Sequence, residues 1–215
     1  MAKHTFKLSD VTPDARIIAR SALGYDFNYY ADAETLLFGS TDETAFRMQN
    51  FTPGTGISTG TGTLFSGNVT VAGDLIKTEI FIDLTGLNSS AAGDIIGKDG
   101  GTANCNLGQI TAALNGTIIA GHILCLETPA GGEPAIDVFS ATVGTGAEDA
   151  AVSDLTETKL LDLGADLASG NLGTQFALTA FPAAGEFLYL VGAGGGTDDT
   201  YTAGKFVITL YGQPA

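Results

Sequence analysis

Residues 201–212 read YTAGKFVITLYG. From Lys205 onward, Phe206, Ile208 and Leu210 alternate with Val207, Thr209 and Tyr211. A period of two sends successive side chains to opposite faces, which is the signature of a β-strand. The same reading extends upstream. In NVTVAG, Val69 and Val71 share a face; in KTEIFIDLTGL, Ile80, Ile82 and Leu84 lie opposite Glu79, Phe81 and Asp83. GTIIAGHILCLE (116–127) is apolar on both faces and reads as an interior strand. AIDVFSATVG, TKLLDLG, TQFALTAF and EFLYLVG follow, separated by the turn-rich TPAGGEP, VGTGAED, ASGNLG, FPAAG and GAGGGTDD. About eight strands with almost no helical connections predict an all-β fold: an antiparallel β-sandwich or jelly-roll-like domain. One short helix is expected at 107–114, capped by Asn106 and ended by Asn115-Gly116.

Two short patterns point elsewhere and have to be weighed. TGISTGTG (55–62) fits T-G-x-x-x-G-x-G, and YTAGK (201–205) fits Y-x-x-x-K, as in short-chain dehydrogenases. The first needs a buried parallel strand before it and a helix after it, whose N-terminus receives the pyrophosphate. Here a proline-containing FRMQNFTPG precedes it, and Gly60, Gly62 and Gly67 would cripple a following helix. The second needs Tyr201 and Lys205 one turn apart on a helix. In a strand, residues four apart are about 13 Å distant, too far for the ammonium to lower the phenol pKa. Both matches are chance hits in a chain rich in Gly and Thr, and TGISTGTG reads as a flexible connection.

The chain has 215 residues, 44% of them hydrophobic, with 30 glycines and no tryptophan. That is enough for one domain plus an arm. The expected organisation is an extended N-terminal arm over residues 1–55 and one β-sandwich domain over 56–215. The net charge is −15, which leaves no basic face to displace counterions from phosphate, so nucleic acid is not an expected partner. Residues 99–215 carry 13 acids and only Lys159 and Lys205 as bases, whereas Lys3, Lys7, Arg16 and Arg20 make the first twenty residues basic. Such a segment suits docking on an acidic neighbour. MAKHTFKLSD has no apolar signal region, and no stretch approaches the length of a membrane helix, so no membrane association is expected.

Candidate chemistry is sparse. His122 shares a face with Leu124 and Leu126 and reads as a histidine in or near the core. Cys105 and Cys125 read as buried thiols. Asp94 and Asp99, and the pair Asp198-Asp199, are loop carboxylates of the kind that hold Ca²⁺, but neither set has EF-hand spacing, and acidic turn residues account for them. No catalytic, cofactor-binding or metal-ligating residue is assigned, and no cofactor is expected. The lack of tryptophan weakens any sugar-stacking platform.

GTGAEDAAVSDLTET, FPAAGEFLYLVGAG and the closing TYTAGKFVITLYG resemble the C-terminal halves of small structural proteins of tailed bacteriophages, over about residues 65–215. The resemblance implies a capsid decoration, or cement, protein. Such a protein would be a homotrimer on the outer capsid surface of the virion that clamps neighbouring major capsid subunits and has no enzymatic activity. A tail-fibre or receptor-binding module of the same virion, a coat subunit and a carbohydrate-active enzyme are the alternatives.

Overall fold

The computed structural model describes residues 17–20, 26–30, 35–39, 47–89, 91–162, 172–194 and 199–214. In chain order the strands are β1 (Ile17–Arg20), β2 (Asp26–Tyr30), β3 (Thr35–Gly39), β4 (Arg47–Asn50), β5 (Leu64–Ala72), β6 (Leu75–Asp83), β7 (Asn88–Ser89), β8 (Gly108–Gln109), β9 (Thr117–Ala130), β10 (Ile136–Ala141), β11 (Glu157–Leu161), β12 (Gln175–Ala177), β13 (Phe187–Gly192), β14 (Asp199–Thr200) and β15 (Ala203–Gln213). Two single-turn helices, α1 (Thr55–Ser58) and α2 (Ala112–Asn115), interrupt them. The fold is an all-β antiparallel sandwich, as the alternation predicts.

The large sheet runs β4-β5-β6-β15-β9-β12 and continues beyond β4 through β3, β2 and β1. The described strands β1–β4 thus extend the edge of the body: β4 pairs with β5 from Arg47↔Val71 to Asn50↔Asn68. The closing strand β15 lies in the middle, between β6 and β9. Its inward residues Phe206, Ile208 and Leu210 are fully buried. In register, Phe206 lies opposite Ile82 on one side and Cys125 on the other; Ile208 lies opposite Ile80 and Ile123. That inner row packs against the small sheet, β11-β10-β13-β8, whose Ile136, Val138, Leu188 and Leu190 join the same core.

β9 is interior to its sheet, between β15 and β12, but the strand buried on both faces is β10. All six residues of β10 are buried. Phe139 and Ala141 turn away from the large sheet into a second cluster with Tyr189, Val191, Ile95, Cys105 and Val152. The segments around Ile95–Cys105 and Gly146–Val152 form that outer cover, tied down by Ile95 N–H to the Ala150 carbonyl and Cys105 N–H to the Gly146 carbonyl. The Tyr189 hydroxyl donates to the Val143 carbonyl at 2.6 Å and accepts from Gly146 N–H at 3.3 Å. Two polar residues of β10 tolerate burial because each is partnered. Asp137 meets the Lys159 ammonium at 2.8 Å, and the Ser140 hydroxyl donates to Glu186. β9 instead leaves its outer side half-open, with Ile119 and Leu126 exposed.

The expected helix at 107–114 shrinks to α2. Leu107 and Ile110 are buried and bond to the small sheet, through Leu107 N–H to the Leu188 carbonyl and Ile110 N–H to the Glu186 carbonyl. Pairing of these apolar residues outweighs the local helix signal. Thr111, not Asn106, caps the remaining turn by accepting from Leu114 N–H. Gly116 follows its end at φ 67°, where the sequence placed it.

Candidate functional site

The outer face of the large sheet is partly open to solvent among the described residues. Antiparallel register sets Ser66, Phe81, Val207, Leu124 and Gln175 in one row across β5, β6, β15, β9 and β12. Phe81, Val207 and Leu124 at its centre are only half-buried. Leu64, 60% exposed, heads the next row, opposite Asp83, and Asp83 lies opposite Lys205.

That second row is ionic. The Lys205 ammonium bonds the Glu127 carboxylate and lies 3.7 Å from Asp83. Asp83 also accepts from the Thr85 hydroxyl at 2.7 Å and from Thr85 N–H at 3.0 Å. Burial alone would raise the Asp83 pKa; the two Thr85 bonds and the lysine outweigh it and hold the carboxyl below its usual range. The Lys205 bond likewise lowers Glu127, and Glu127 raises Lys205. A carboxyl whose folded pKa is depressed stabilises the fold above its unfolded pKa and loses that contribution as pH falls through the folded value. Asp83→Asn is therefore expected to cost about 1.5–3 kcal/mol at neutral pH, the range for hydrogen bonds to a charged group. The gap from wild type should close as urea titrations move below about pH 4. A gap that stays constant with pH would refute the charged role of Asp83. Beyond the central Phe81 row, Lys77 pairs with Glu79 at 2.7 Å, so both described lysines of this face are paired within it.

The Y-x-x-x-K pair does not form a site. Tyr201 is buried and its hydroxyl donates to the Glu133 carbonyl at 2.7 Å, while Lys205 faces Glu127 and Asp83 on the outer face. TGISTGTG forms α1 and a turn into β5, with Ile57 fully buried. It is not a free linker. A Cβ on Gly54 would stand 2.1 Å from the Asn104 carbonyl oxygen, and one on Gly56 would stand 2.3 Å from the Cys105 sulfur, so these glycines permit close packing. His122 is not in the core: it sits half-exposed on the outer face, its ring 6.1 Å from that of Tyr211.

Asp94 accepts from Ala91 N–H, Asp99 is exposed on a separate turn, and Asp198 lies outside the described residues. Among the described residues, no three His, Cys, Asp or Glu side chains group as a metal site would require. No helix among them is long and apolar enough to cross a membrane. Cys105 and Cys125 are both buried free thiols in separate core clusters. Burial pushes the Cys105 thiol up to about 11 and raises Cys125 as well. Neither thiol is expected to react with a disulfide reagent in native protein at neutral pH, and both should react after unfolding in urea. Rapid native labelling of either would contradict this packing.

Among the described residues, two of the clefts on the body are well formed. The first, about 620 Å³, lies between the 50–55 segment and the loops bearing Asn104, Asn106, Gln109 and Thr145. Its central amides are structural: Asn106 donates to the Gly144 carbonyl and accepts from Gly108 N–H, and Gln109 donates to the Gly185 carbonyl. The second, about 590 Å³, is lined by Thr61, Thr85, Lys98, Asp99, Thr200 and Thr202 together with Gly86 and Tyr201. Sequence reasoning did not single out Lys98. Its signal is spatial: Lys77, Lys159 and Lys205 are each within 4 Å of a carboxylate, and Lys98 has no such partner among the described residues.

Comparison with protein-family models, with curated proteins and with solved structures finds no match.

Proposed function

We propose that this chain is a structural protein of a tailed-bacteriophage virion, a capsid decoration or cement protein that binds the outer capsid surface and clamps neighbouring major capsid subunits. The observation that carries this reading, beside the resemblance of the closing segments, is the outer face of the large sheet. It presents a central apolar row on three adjacent strands, flanked by lysines that are each paired with a carboxylate within the face. Such a surface can be covered by a protein partner without leaving a charge buried and unpaired. The partners are the major capsid protein and further copies of the chain, as a homotrimer. Nucleic acid and membrane are not partners, and the protein is not an enzyme; the net charge of −15 disfavours phosphate-rich surfaces. The basic first twenty residues give a second point of attachment to an acidic neighbour. Many modest contacts repeated over a shell then hold by avidity.

Cryo-electron microscopy of intact particles, with copies counted, tests the proposal. Regular copies across the capsid lattice are the expected result. Density confined to the tail would replace it with the fibre or receptor-binding reading, and particles lacking the chain would overturn the virion reading altogether. Deleting residues 1–20 is expected to lower particle occupancy at least about tenfold with the body still folded. Undiminished occupancy would remove the N-terminal contact from the proposal.

A further inference from the structure

The second cleft has an unusual balance of donors and acceptors. Three of its threonine hydroxyls have given their protons inward. Thr85 donates to the Asp83 carboxylate, Thr200 to the Asn88 side-chain oxygen at 3.1 Å, and Thr202 to the Ala130 carbonyl at 3.2 Å. The Asn88 oxygen is fixed as the acceptor because its amide nitrogen donates to Glu148. What these hydroxyls have left to offer is lone pairs. Asp99 adds a carboxylate. Against these acceptors stand two side-chain donors: the Lys98 ammonium, with three N–H groups and no ion pair among the described residues, and the Thr61 hydroxyl.

This balance selects the chemistry of a ligand. An inorganic anion needs converging donors and would meet Asp99 and three sets of lone pairs. A cation would meet Lys98. A peptide brings one N–H per residue and side chains that need apolar subsites, and the one aromatic residue of the cleft, Tyr201, is buried with its hydroxyl engaged. A neutral saccharide brings hydroxyls that each donate and accept, so it can give protons to Thr85, Thr200, Thr202 and Asp99 and take one from Lys98. The volume, about 590 Å³, falls within the usual range for small-molecule sites. We infer that the Lys98 cleft is a binding site for neutral saccharides. With no exposed aromatic face to stack on, hydrogen bonds carry the interaction and each site is weak, in the millimolar range. The inference is independent of the capsid reading. If both hold, repetition over a particle turns a weak site into firm attachment to a glycan-bearing surface.

The test is a ¹H–¹⁵N NMR titration of the full chain with maltotriose, chitotriose and mannotriose separately, and with inorganic phosphate. The expected result is saturable shifts of the Thr61, Lys98, Thr200 and Thr202 amides with at least one trisaccharide and none with phosphate. Lys98→Met is expected to weaken that binding about tenfold or more, the worth of a charged hydrogen bond. Its melting temperature should stay unchanged, since Lys98 holds no ion pair among the described residues. No saturable shift with any of the three sugars overturns the inference. So do shifts that map elsewhere, phosphate shifting these amides in place of the sugars, or Lys98→Met binding as tightly as wild type.

Discussion

Phe206→Ala is expected to lower the unfolding free energy by about 3–5 kcal/mol. Phe206 is fully buried on the central strand, opposite Ile82 and Cys125 in register, within the core that both sheets share. Truncating it removes the transfer free energy of the ring. It also leaves a cavity that cannot collapse, because β15 is hydrogen-bonded to a neighbour on each side. With a urea m-value of about 2 kcal/mol/M, the midpoint should fall by roughly 2 M. Far-ultraviolet dichroism reports the sheets and tyrosine fluorescence the core, since the chain has no tryptophan. The two probes should shift together, because one cluster joins residues of both sheets. Ile208→Val, one methylene from the same row, should cost only about 0.5–1.5 kcal/mol. A midpoint shift for Phe206→Ala no larger than that of Ile208→Val would refute the central placement of β15.

The alternation after Gly204 was legible because β15 buries one face against the core and turns the other outward, and a half-buried strand writes that contrast into its residues. Where burial is arranged by distant parts, the sequence misleads. GTIIAGHILCLE is apolar on both sides, yet only Ile118, Ile123 and Cys125 of its apolar strand residues are buried. AIDVFSATVG, with Asp137 and Ser140 in it, is the segment buried on both faces. Its polar residues are satisfied by Lys159 and Glu186, which are 22 and 46 positions away. The irregular segments that cover it carry no period, only scattered apolar residues such as Ile95 and Val152. TGISTGTG looked flexible because glycine permits flexibility. Here Gly56, with Gly54 just before the stretch, serves close approach to Cys105 and Asn104, which is visible only once those residues are adjacent. The Lys98 cleft was illegible for the same reason. Thr61, Thr85, Lys98 and Thr200 come from four separate stretches of the chain, and hydroxyl protons spent inward leave no mark on a sequence.

Gly86 offers a sharp test of that loop assembly. It adopts φ 80°, and a Cβ placed there would stand 1.8 Å from the Thr61 carbonyl oxygen. Two costs therefore add on Gly86→Ala. The left-handed backbone alone costs an L-residue about 1 kcal/mol. The overlap with rigid backbone cannot be relieved by a side-chain rotation, so the two loops must part. Parting them strains the Gly86 N–H bond to the Tyr201 carbonyl at 2.9 Å and the Thr63 hydroxyl bond to the Thr85 carbonyl at 2.8 Å. A total of about 3 kcal/mol or more is expected. Gly73 separates the terms: its φ is 60°, and nothing lies within 4 Å of its Cβ position, so Gly73→Ala should cost only the backbone part, about 1 kcal/mol. Equal losses at the two positions would mean that Gly86 and Thr61 do not touch. The expected inequality would show that the wall of the Lys98 cleft is held by direct contact between backbones. Saccharide binding would then fall with Gly86→Ala and survive Gly73→Ala.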